Sequence, residues 1–313
     1  MKKSFGLFTA VILLICLFAL AACGGDTPPD YDGDVPVITP MPTPPIDDPP
    51  HRIISDLTIA SLDPVITEVL ITLGLAQNLV AVDDASGFIG GMPIGIPHFD
   101  ISDPNIAFLV HIAPDIVLLS DAVPNHEGIM DALGADDIWS GFLEIPTTIF
   151  GIAEFIRMIG FYAEMDNAAQ QLIDEMMAEI TEIELALMGV SEARTVFFEI
   201  AGPDGPNSFG NGTFMNYLLD TVRAVNVFDE RQGRLVVNPD EVVAANPNVI
   251  LSAVPGFTPV TIVDEISTRE GWGSINAVQN GRIHIIITDF RANHNIVHTL
   301  RQIAMAIYPE NFE

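Results

Sequence analysis

Residues 166–189, "DNAAQQLIDEMMAEITEIELALMG", decide what kind of fold this chain can adopt. Their apolar side chains recur at steps of three and four residues, at Leu172, Ile173, Met176, Ile180, Ile183 and Leu187. This spacing predicts an amphipathic helix, which Asp166 can cap and Gly189 can end. About 22 residues at ~1.5 Å each give a rod of roughly 33 Å, long enough to run the depth of a domain.

The segments on both sides of this rod alternate strands with helices. Before it, the patterns predict strands at 58–62, 78–83, 115–120 and 146–150, and helices at 64–73, 126–133 and 152–159. After it, they predict strands at 194–200, 248–253 and 282–287, and helices at 212–222, 238–246 and 295–308. Such alternation is typical of parallel sheets, so we expect an α/β protein. The two halves share this pattern without a visible sequence repeat.

The amino terminus has the features of a secretory signal. Lys2 and Lys3 precede an apolar run, and small residues at 21–22 precede Cys23. The run is short for a membrane span, which needs about 20 apolar residues. "LAAC" (20–23) resembles the lipobox of bacterial lipoproteins, which implies cleavage before Cys23 and acylation of its thiol. The alternative is an ordinary signal peptide with an incidental cysteine.

The stretch that follows is built to stay extended. Prolines and aspartates dominate residues 24–50, a composition that buries little apolar surface and does not fold. Beyond the signal the chain has ten arginines, no lysine and 42 acidic residues, a net charge of about −32. A body this acidic repels nucleic acid, whose binding requires cations to neutralise phosphates. We therefore expect no nucleic-acid partner.

Six stretches resemble one known family in that family's order. They are "IASLDPVITEVLITLGL" (59–75), "PNIAFLVHIAPDIVLLS" (104–120), "SFGNGTFMNYLLDTVRAVNVF" (208–228), "VNPDEVVAANPNVILSA" (237–253), "REGWGSINAVQNGRIHIIITD" (269–289) and "IAMAIYPENF" (303–312). The family is that of the helical-backbone binding proteins that serve ABC importers for ferric siderophores, haem and cobalamin. The resemblance implies two Rossmann-like α/β lobes with mainly parallel sheets, bridged by one long rigid helix, with the ligand cleft between the lobes.

These observations divide the chain into five segments. We expect a signal peptide at 1–22, a lipid-anchored linker at 23–50, an N-terminal lobe at 51–150, a helical bridge at 151–190 and a C-terminal lobe at 191–313. The protein would then sit outside the cytoplasm, anchored by lipid to the outer face of the cell membrane, with ABC permease and ATPase subunits as its partners.

The resemblance also implies docking residues, because family members meet the permease through one carboxylate on each lobe. Asp240 falls at that place in the second lobe, with Glu241 beside it. In the first lobe the matching position is Ala107, where the family usually has glutamate, and Asp103 lies a turn earlier. The alternative role for Asp240 is an acidic residue favoured by the dipole of its helix.

Ligand contacts are expected in the loops that follow the strands, where open α/β sheets bind. In the first lobe we expect these loops at 84–99, 121–126 and 139–142. The candidates are bulky, polar or small residues of those loops: Phe88, His98, Phe99, His126, Phe209, Gly210, Gly212, Phe257 and Arg291. The aromatic rings suit a bulky, partly apolar ligand. Arg291 can grip an anionic group or can pair with one of the many acids.

Chemistry beyond binding is not indicated. The chain has no G-x-S-x-G, H-E-x-x-H, P-loop or C-x-x-C motif, so an enzyme is not favoured. His294 and His298 stand four apart without an evident third ligand, so no metal site is predicted. We expect a binding protein without a permanent cofactor, whose cargo is a metal chelate such as a ferric siderophore or cobalamin. The other reading is a surface sensor or adhesion protein that reuses the fold.

Overall fold

The first sheet is built only from parallel strands. The computed structural model describes residues 56–200, 206–253, 259–287 and 291–312. The strands are β1 (Ile59–Ser61), β2 (Leu79–Asp83), β3 (His98–Phe99), β4 (Ile116–Ser120) and β5 (Trp139–Leu143). They lie in the order β3-β2-β1-β4-β5, and every pairing is parallel. Their carboxyl ends therefore share one edge, which positions the loops expected to contact ligand.

The second sheet is mixed. Its strands are β6 (Thr195–Ile200), β7 (Asn207–Phe209), β8 (Val225–Asn226), β9 (Arg234–Val236), β10 (Val249–Ala253) and β11 (Ile283–Ile285). The order is β11-β10-β6-β7-β9, with β8 also paired to β6. The strands β6, β8, β10 and β11 are parallel, whereas β7 is antiparallel to both β6 and β9. The predicted mainly parallel character thus holds for the centre of this sheet and fails at one edge.

Ten helices cover these sheets within the described residues. They are α1 (Pro64–Thr72), α2 (Ile106–Ile112), α3 (His126–Ala135), α4 (Ile149–Tyr162), α5 (Asp166–Ala186), α6 (Phe214–Thr221), α7 (Pro239–Ala245), α8 (Pro259–Thr268), α9 (Asn276–Gln279) and α10 (Ile296–Ile307). No described helix combines the length and the apolar character that a membrane crossing requires.

The predicted rod is α5, and it is packed on both sides. It contacts α4, which follows the first sheet, and α10, which follows the second. One continuous apolar core runs from Ile66 of α1 through Ile156 of α4 and Ile180 of α5 to Ile303 of α10. The connection between the lobes is therefore stiff, because any bending of α5 would open this buried seam.

Three local predictions were wrong. Asp166 is the first residue of α5, not its cap, and the preceding Met165 makes no side-chain cap. The fourth strand of the first sheet is β5, whereas residues 146–150 lead into α4. Trp139–Phe142, expected as a loop, belongs to β5 and pairs with β4. The alternation in "WSGFL" was too short to separate a strand from a loop by pattern alone.

The two lobes repeat one structural unit that the sequence hides. Residues 105–120 and 238–253 each run from a capping asparagine through a seven-residue helix into an interior strand of a sheet, β4 or β10. Each helix ends in a left-handed residue, Ala113 or Asn246, followed by proline. In the first lobe the Asp115 carboxylate accepts hydrogen bonds from the backbone and hydroxyl of Thr58, both at 2.7 Å.

The second lobe makes the same contact with different residues. The Asn248 side-chain oxygen accepts hydrogen bonds from the backbone and hydroxyl of Thr195, both at 2.9 Å. This match aligns Ala107 of α2 with Asp240 of α7, since both occupy the second helical position after the capping asparagine.

The crossing of α4 and α5 depends on Gly160. A Cβ at this position would overlap the Cβ of Ala169 on the facing helix. We expect Gly160→Ala to lower the free energy of unfolding by about 1–3 kcal/mol, because well-packed interiors do not absorb an added methyl group. Chemical denaturation followed by circular dichroism measures this loss.

Gly134→Ala is the matched control, since Gly134 also lies in a helix but its added Cβ would meet nothing within 4 Å. There the gain in helix propensity should leave stability unchanged or raise it by up to ~1 kcal/mol. Equal effects of the two substitutions would contradict a tight α4–α5 seam.

Candidate functional site

The carboxyl edge of the first sheet is organised by buried polar side chains. Asp63 caps α1 by accepting from the backbone of Val65 at 2.7 Å and of Ile66 at 3.3 Å, and the Ser120 hydroxyl donates to it at 2.5 Å. Burial raises the pKa of the Asp63 carboxyl despite these hydrogen bonds. The Ser86 hydroxyl links Asp83 to Thr67 on the same edge. These bonds fix the ends of β1, β2 and β4 relative to one another.

One carboxylate of the first lobe gathers several polar contacts from the second lobe. Glu68 of α1 accepts hydrogen bonds from Arg291 at 3.0 Å, from Asn293 at 2.6 Å and from Asn295 at 2.7 Å. These three donors lie between β11 and α10, so they follow a strand end of the second sheet. We call these four residues the Glu68 cluster. Only about 18% of the Glu68 side chain and 27% of the Arg291 side chain is exposed, so the ion pair is largely shielded from water.

Beside this cluster, a histidine joins the lobes a second time. The His294 Nε2 atom lies 3.1 Å from the Thr72 hydroxyl oxygen. That hydroxyl already donates to the carbonyl oxygen of Glu68 at 2.9 Å, so Nε2 carries the proton and donates to Thr72. The Nδ1 atom is then a buried acceptor, and no described residue donates to it. Burial, with a smaller contribution from His298, lowers the pKa of His294 to about 4.

Two cavities open at these strand ends. One of about 400 Å³ adjoins the Glu68 cluster and is also lined by Ile287 and His298. Another of about 420 Å³ follows the end of β5 and is lined by Phe142, Glu144 and Thr148 among others. A larger cavity of about 570 Å³ lies elsewhere, at Arg194, Asn248 and Arg282. Each of these three residues directly precedes a parallel strand, so that cavity lies at the opposite edge of the second sheet.

The aromatic and histidine candidates of the first lobe do not form one group. Phe88 is 92% exposed just after β2, and His98 is exposed on β3. Phe99 is buried and packs against Phe108 with ring centroids 5.7 Å apart, so it belongs to the core. His126 stacks on Phe142 at 4.7 Å, next to the cavity that follows β5. The His126 ring therefore packs against an aromatic residue that lines this cavity.

The candidates of the second lobe divide in the same way. Phe209 is half-buried and packs edge-on against Phe198 at 6.1 Å. A Cβ on Gly210 would overlap the carbonyl oxygen of Arg231, and Gly212 has a φ of +74°. Both glycines are therefore required by the local backbone whether or not ligand binds. Phe257 and Cys23 lie outside the described residues.

The docking candidates lie at helix starts. In α7 the Glu241 carboxylate closes a capping box with Asn238 at 3.0 Å and pairs with Arg231 at 3.3 Å. Asp240 is exposed, and its carboxylate has no partner among the residues that the structure describes. In the first lobe Asp103 is exposed just before α2, while Ala107 and Phe108 take the places of Asp240 and Glu241. The two lobes thus present chemically different helix starts.

The sequence patterns did not reveal Glu68, Asn293 or Asn295 as site residues. One signal was available, because Glu68 is the only charged residue in the otherwise apolar helix "PVITEVLIT". A charge retained on a largely buried helix indicates a specific partner. The partner lies 223 residues away in Arg291, so no local pattern could identify it.

The fold and this arrangement agree with known proteins. Residues 59–289 match the family model of the periplasmic binding proteins, and the chain belongs to that family. Over the full length of both chains it is 26% identical to the ABC transporter substrate-binding lipoprotein YvrC of Bacillus subtilis, which is itself uncharacterized.

Three solved structures share the fold. A possible iron-binding (periplasmic solute-binding) protein from Staphylococcus epidermidis is 24% identical, with a TM-score of 0.70 over 81% of this chain and 99% of that one. The periplasmic haem-binding protein RhuT from Roseiflexus is 19% identical, with a TM-score of 0.67 over 82% and 99% of the two chains. The vitamin B12-binding protein BtuF of Vibrio cholerae is 17% identical, with a TM-score of 0.66 over 82% and 98%.

These comparisons confirm the predicted fold class and family. The chain is a solute-binding protein and not an enzyme, as its family indicates.

The buried His294 makes stability depend on pH. In the unfolded chain a histidine has a pKa near 6.5, whereas folding lowers that of His294 to about 4. The unfolded state therefore binds a proton first as the pH falls, so stability is lost between about pH 6.5 and pH 4. We expect His294→Gln to remove about 1–3 kcal/mol of the stability loss that the parent protein shows across this range.

Urea denaturation at several pH values measures this difference. Thr72→Val is the matched control, because it removes the same hydrogen bond without removing a titrating group, so its effect should not vary with pH. Parallel pH profiles for the parent protein and His294→Gln would contradict the assignment.

Proposed function

We propose that this protein is the extracytoplasmic receptor of an ABC importer, which captures an iron chelate of the siderophore type or cobalamin and delivers it to the permease. Its family membership carries this proposal. The relative in Bacillus subtilis is a substrate-binding lipoprotein of an ABC transporter, and the solved structures include a possible iron-binding protein and a vitamin B12-binding protein. Permease and ATPase subunits are therefore its partners.

We propose further that the receptor is tethered by lipid at Cys23. The "LAAC" stretch and the proline-rich residues 24–50 support an anchor followed by an extended spacer. Two or three acyl chains hold a protein on a membrane, because each buried CH₂ group contributes about 0.8 kcal/mol. The cargo then reaches the receptor outside the cytoplasm, next to the permease.

The rigid connection through α5 limits how far the two lobes can move when ligand binds. Because α5 is packed between α4 and α10, the lobes can move relative to each other only slightly without breaking the shared core. The bound and free forms therefore differ by a small closure, and the cleft is largely formed before the ligand arrives. Recognition by the permease therefore depends on the exposed first turns of α2 and α7 more than on a large change of shape.

Ligand binding can be tested by thermal unfolding of the full-length protein in detergent. We expect one class of metal complex, among ferric siderophores and cobalamin, to raise the midpoint, since a ligand at 100 times its Kd adds about 2.7 kcal/mol. For a body of this size that corresponds to roughly 5–11 °C. The metal-free chelators serve as controls. The absence of a shift with every metal complex, combined with binding of a host macromolecule, would indicate a surface sensor or adhesion protein instead.

The docking role of Asp240 can be tested separately from binding. Its exposed carboxylate has no partner among the described residues and lies at the positive end of a helix dipole, so it is available to an arginine of the permease. We expect Asp240→Asn to lower uptake of labelled cargo by cells at least fivefold while leaving the Kd of the purified protein unchanged.

Glu230→Gln is the matched control, since Glu230 is also exposed in the second lobe. Equal uptake by the parent protein and Asp240→Asn would rule out this contact. Asp103→Asn tests the first lobe in the same assay.

A further inference from the structure

The arginine that faces the other lobe is already neutralised. Arg291 donates to Glu68 at 3.0 Å, and the same carboxylate accepts two amide groups from Asn293 and Asn295. Each side chain of the ion pair is largely shielded from water. An anionic group of a ligand that approaches Arg291 meets a cation whose charge Glu68 already balances, so the pair offers it little net attraction.

Three segments follow β6, β10 and β11, at residues 201–206, 254–258 and 286–295, and Arg291 is the only arginine or lysine in their sequence. Arg231 follows the parallel strand β8, and it is paired with Glu241. The first lobe has a larger excess of negative charge, because its residues 56–150 contain 14 acidic residues and neither lysine nor arginine.

Several acidic residues of the first lobe lie at the carboxyl edge of its sheet, where ligand contacts are expected. An acidic residue directly follows four of the five strands of the first sheet, and all four are exposed: Asp84, Asp100, Asp121 and Glu144. After β1 comes the buried Asp63, with one residue between. Since the strands are parallel, these carboxylates share one edge, and their potentials add in the space above it.

From this arrangement we infer that the cleft selects its cargo by charge: it accepts neutral or cationic metal complexes and rejects complexes that carry net negative charge. The inference rests on the proposed function, because it concerns the cargo of that same cleft. It places a ferric chelate with a pendant ammonium group, or an uncharged corrinoid, inside the accepted class. It places ferric catecholates and ferric citrate outside it.

Three ferric complexes that share one iron-binding core and differ in the charge of the pendant terminal group provide the test. A linear trihydroxamate with a terminal amine gives a complex of charge +1, its N-acetyl derivative gives 0, and its N-succinyl derivative gives −1. Isothermal titration of the full-length protein in detergent measures all three at low salt and again at 0.5 M NaCl. We expect the Kd to rise at least tenfold from the +1 to the −1 complex at low salt, with a smaller ratio at high salt because salt screens exposed charges.

A variant tests the role of Glu68 directly. Glu68→Gln removes the charge that neutralises Arg291 while keeping a side-chain oxygen as an acceptor. We expect the ratio of Kd values for the −1 and +1 complexes to fall at least threefold in this variant. Glu184→Gln is the matched control, since it removes one exposed acid from α5 and should leave the ratio unchanged.

The outcomes separate this inference from the proposed function. Equal or tighter binding of the −1 complex, or tight binding of dianionic haem in place of all three, overturns the charge selection and leaves the import role intact. If cyanocobalamin binds in place of the ferric complexes, at least tenfold weaker binding of its monocarboxylate derivative supports both, and equal binding of the two corrinoids overturns the charge selection. Failure of all these metal complexes to bind overturns the proposed function and the inference with it.

Discussion

The packing of α5 between α4 and α10 is the constraint on which the rest of the structure depends. A helix keeps its rise per residue, so 21 residues fix a span of about 31 Å between the lobes. The close contact at Gly160 and Ala169 seats α5 against the first lobe, and the α10 contact seats it against the second. Because these contacts belong to one continuous core, the two sheet edges keep a nearly fixed separation, and the cleft between them is a property of the fold.

The Glu68 carboxylate contributes both to the contact between the lobes and to the balance of charge beside Arg291. Glu68 ties the first lobe to the segment after β11, and by doing so it removes the positive charge of Arg291 from the cleft. The acids that follow the strands of the first sheet lie within residues 56–150, a stretch that contains no lysine or arginine to offset them. The contact between Glu68 and Arg291 thus joins the two lobes and also balances the charge of Arg291.

The internal repeat shows where two otherwise similar lobes differ, which is at the first turns of α2 and α7. Both capped helices, α2 and α7, lead through proline into a central strand held by the same side-chain contact, Asp115 with Thr58 or Asn248 with Thr195. The scaffold is conserved between the lobes because it fixes the strand register. The second helical position is exposed and free to vary, so it carries alanine in one lobe and aspartate in the other.

The periodic features of this protein can be predicted from its amino-acid sequence alone. The three- and four-residue spacing gave α5 and most other helices, the short apolar runs gave the central strands, and the order of six motifs gave the family. These features are local, so they can be found without knowing what each segment packs against. The remaining features of the structure depend on contacts between residues that are far apart in the sequence.

Those contacts include the antiparallel β7 and β9, the pairing of Trp139–Leu143 as a strand, and the joining of Glu68 to Arg291. The sequence predicted Phe99 as a ligand contact in a loop, whereas in the structure Phe99 lies on β3 and is buried in the core. The sequence pattern did not reveal that Phe99 packs against the ring of Phe108. Arg291 was correctly placed after the last strand, but its neutralisation by a residue more than two hundred positions earlier follows from the fold alone, since charge pairing depends on distance in space and not on distance along the chain.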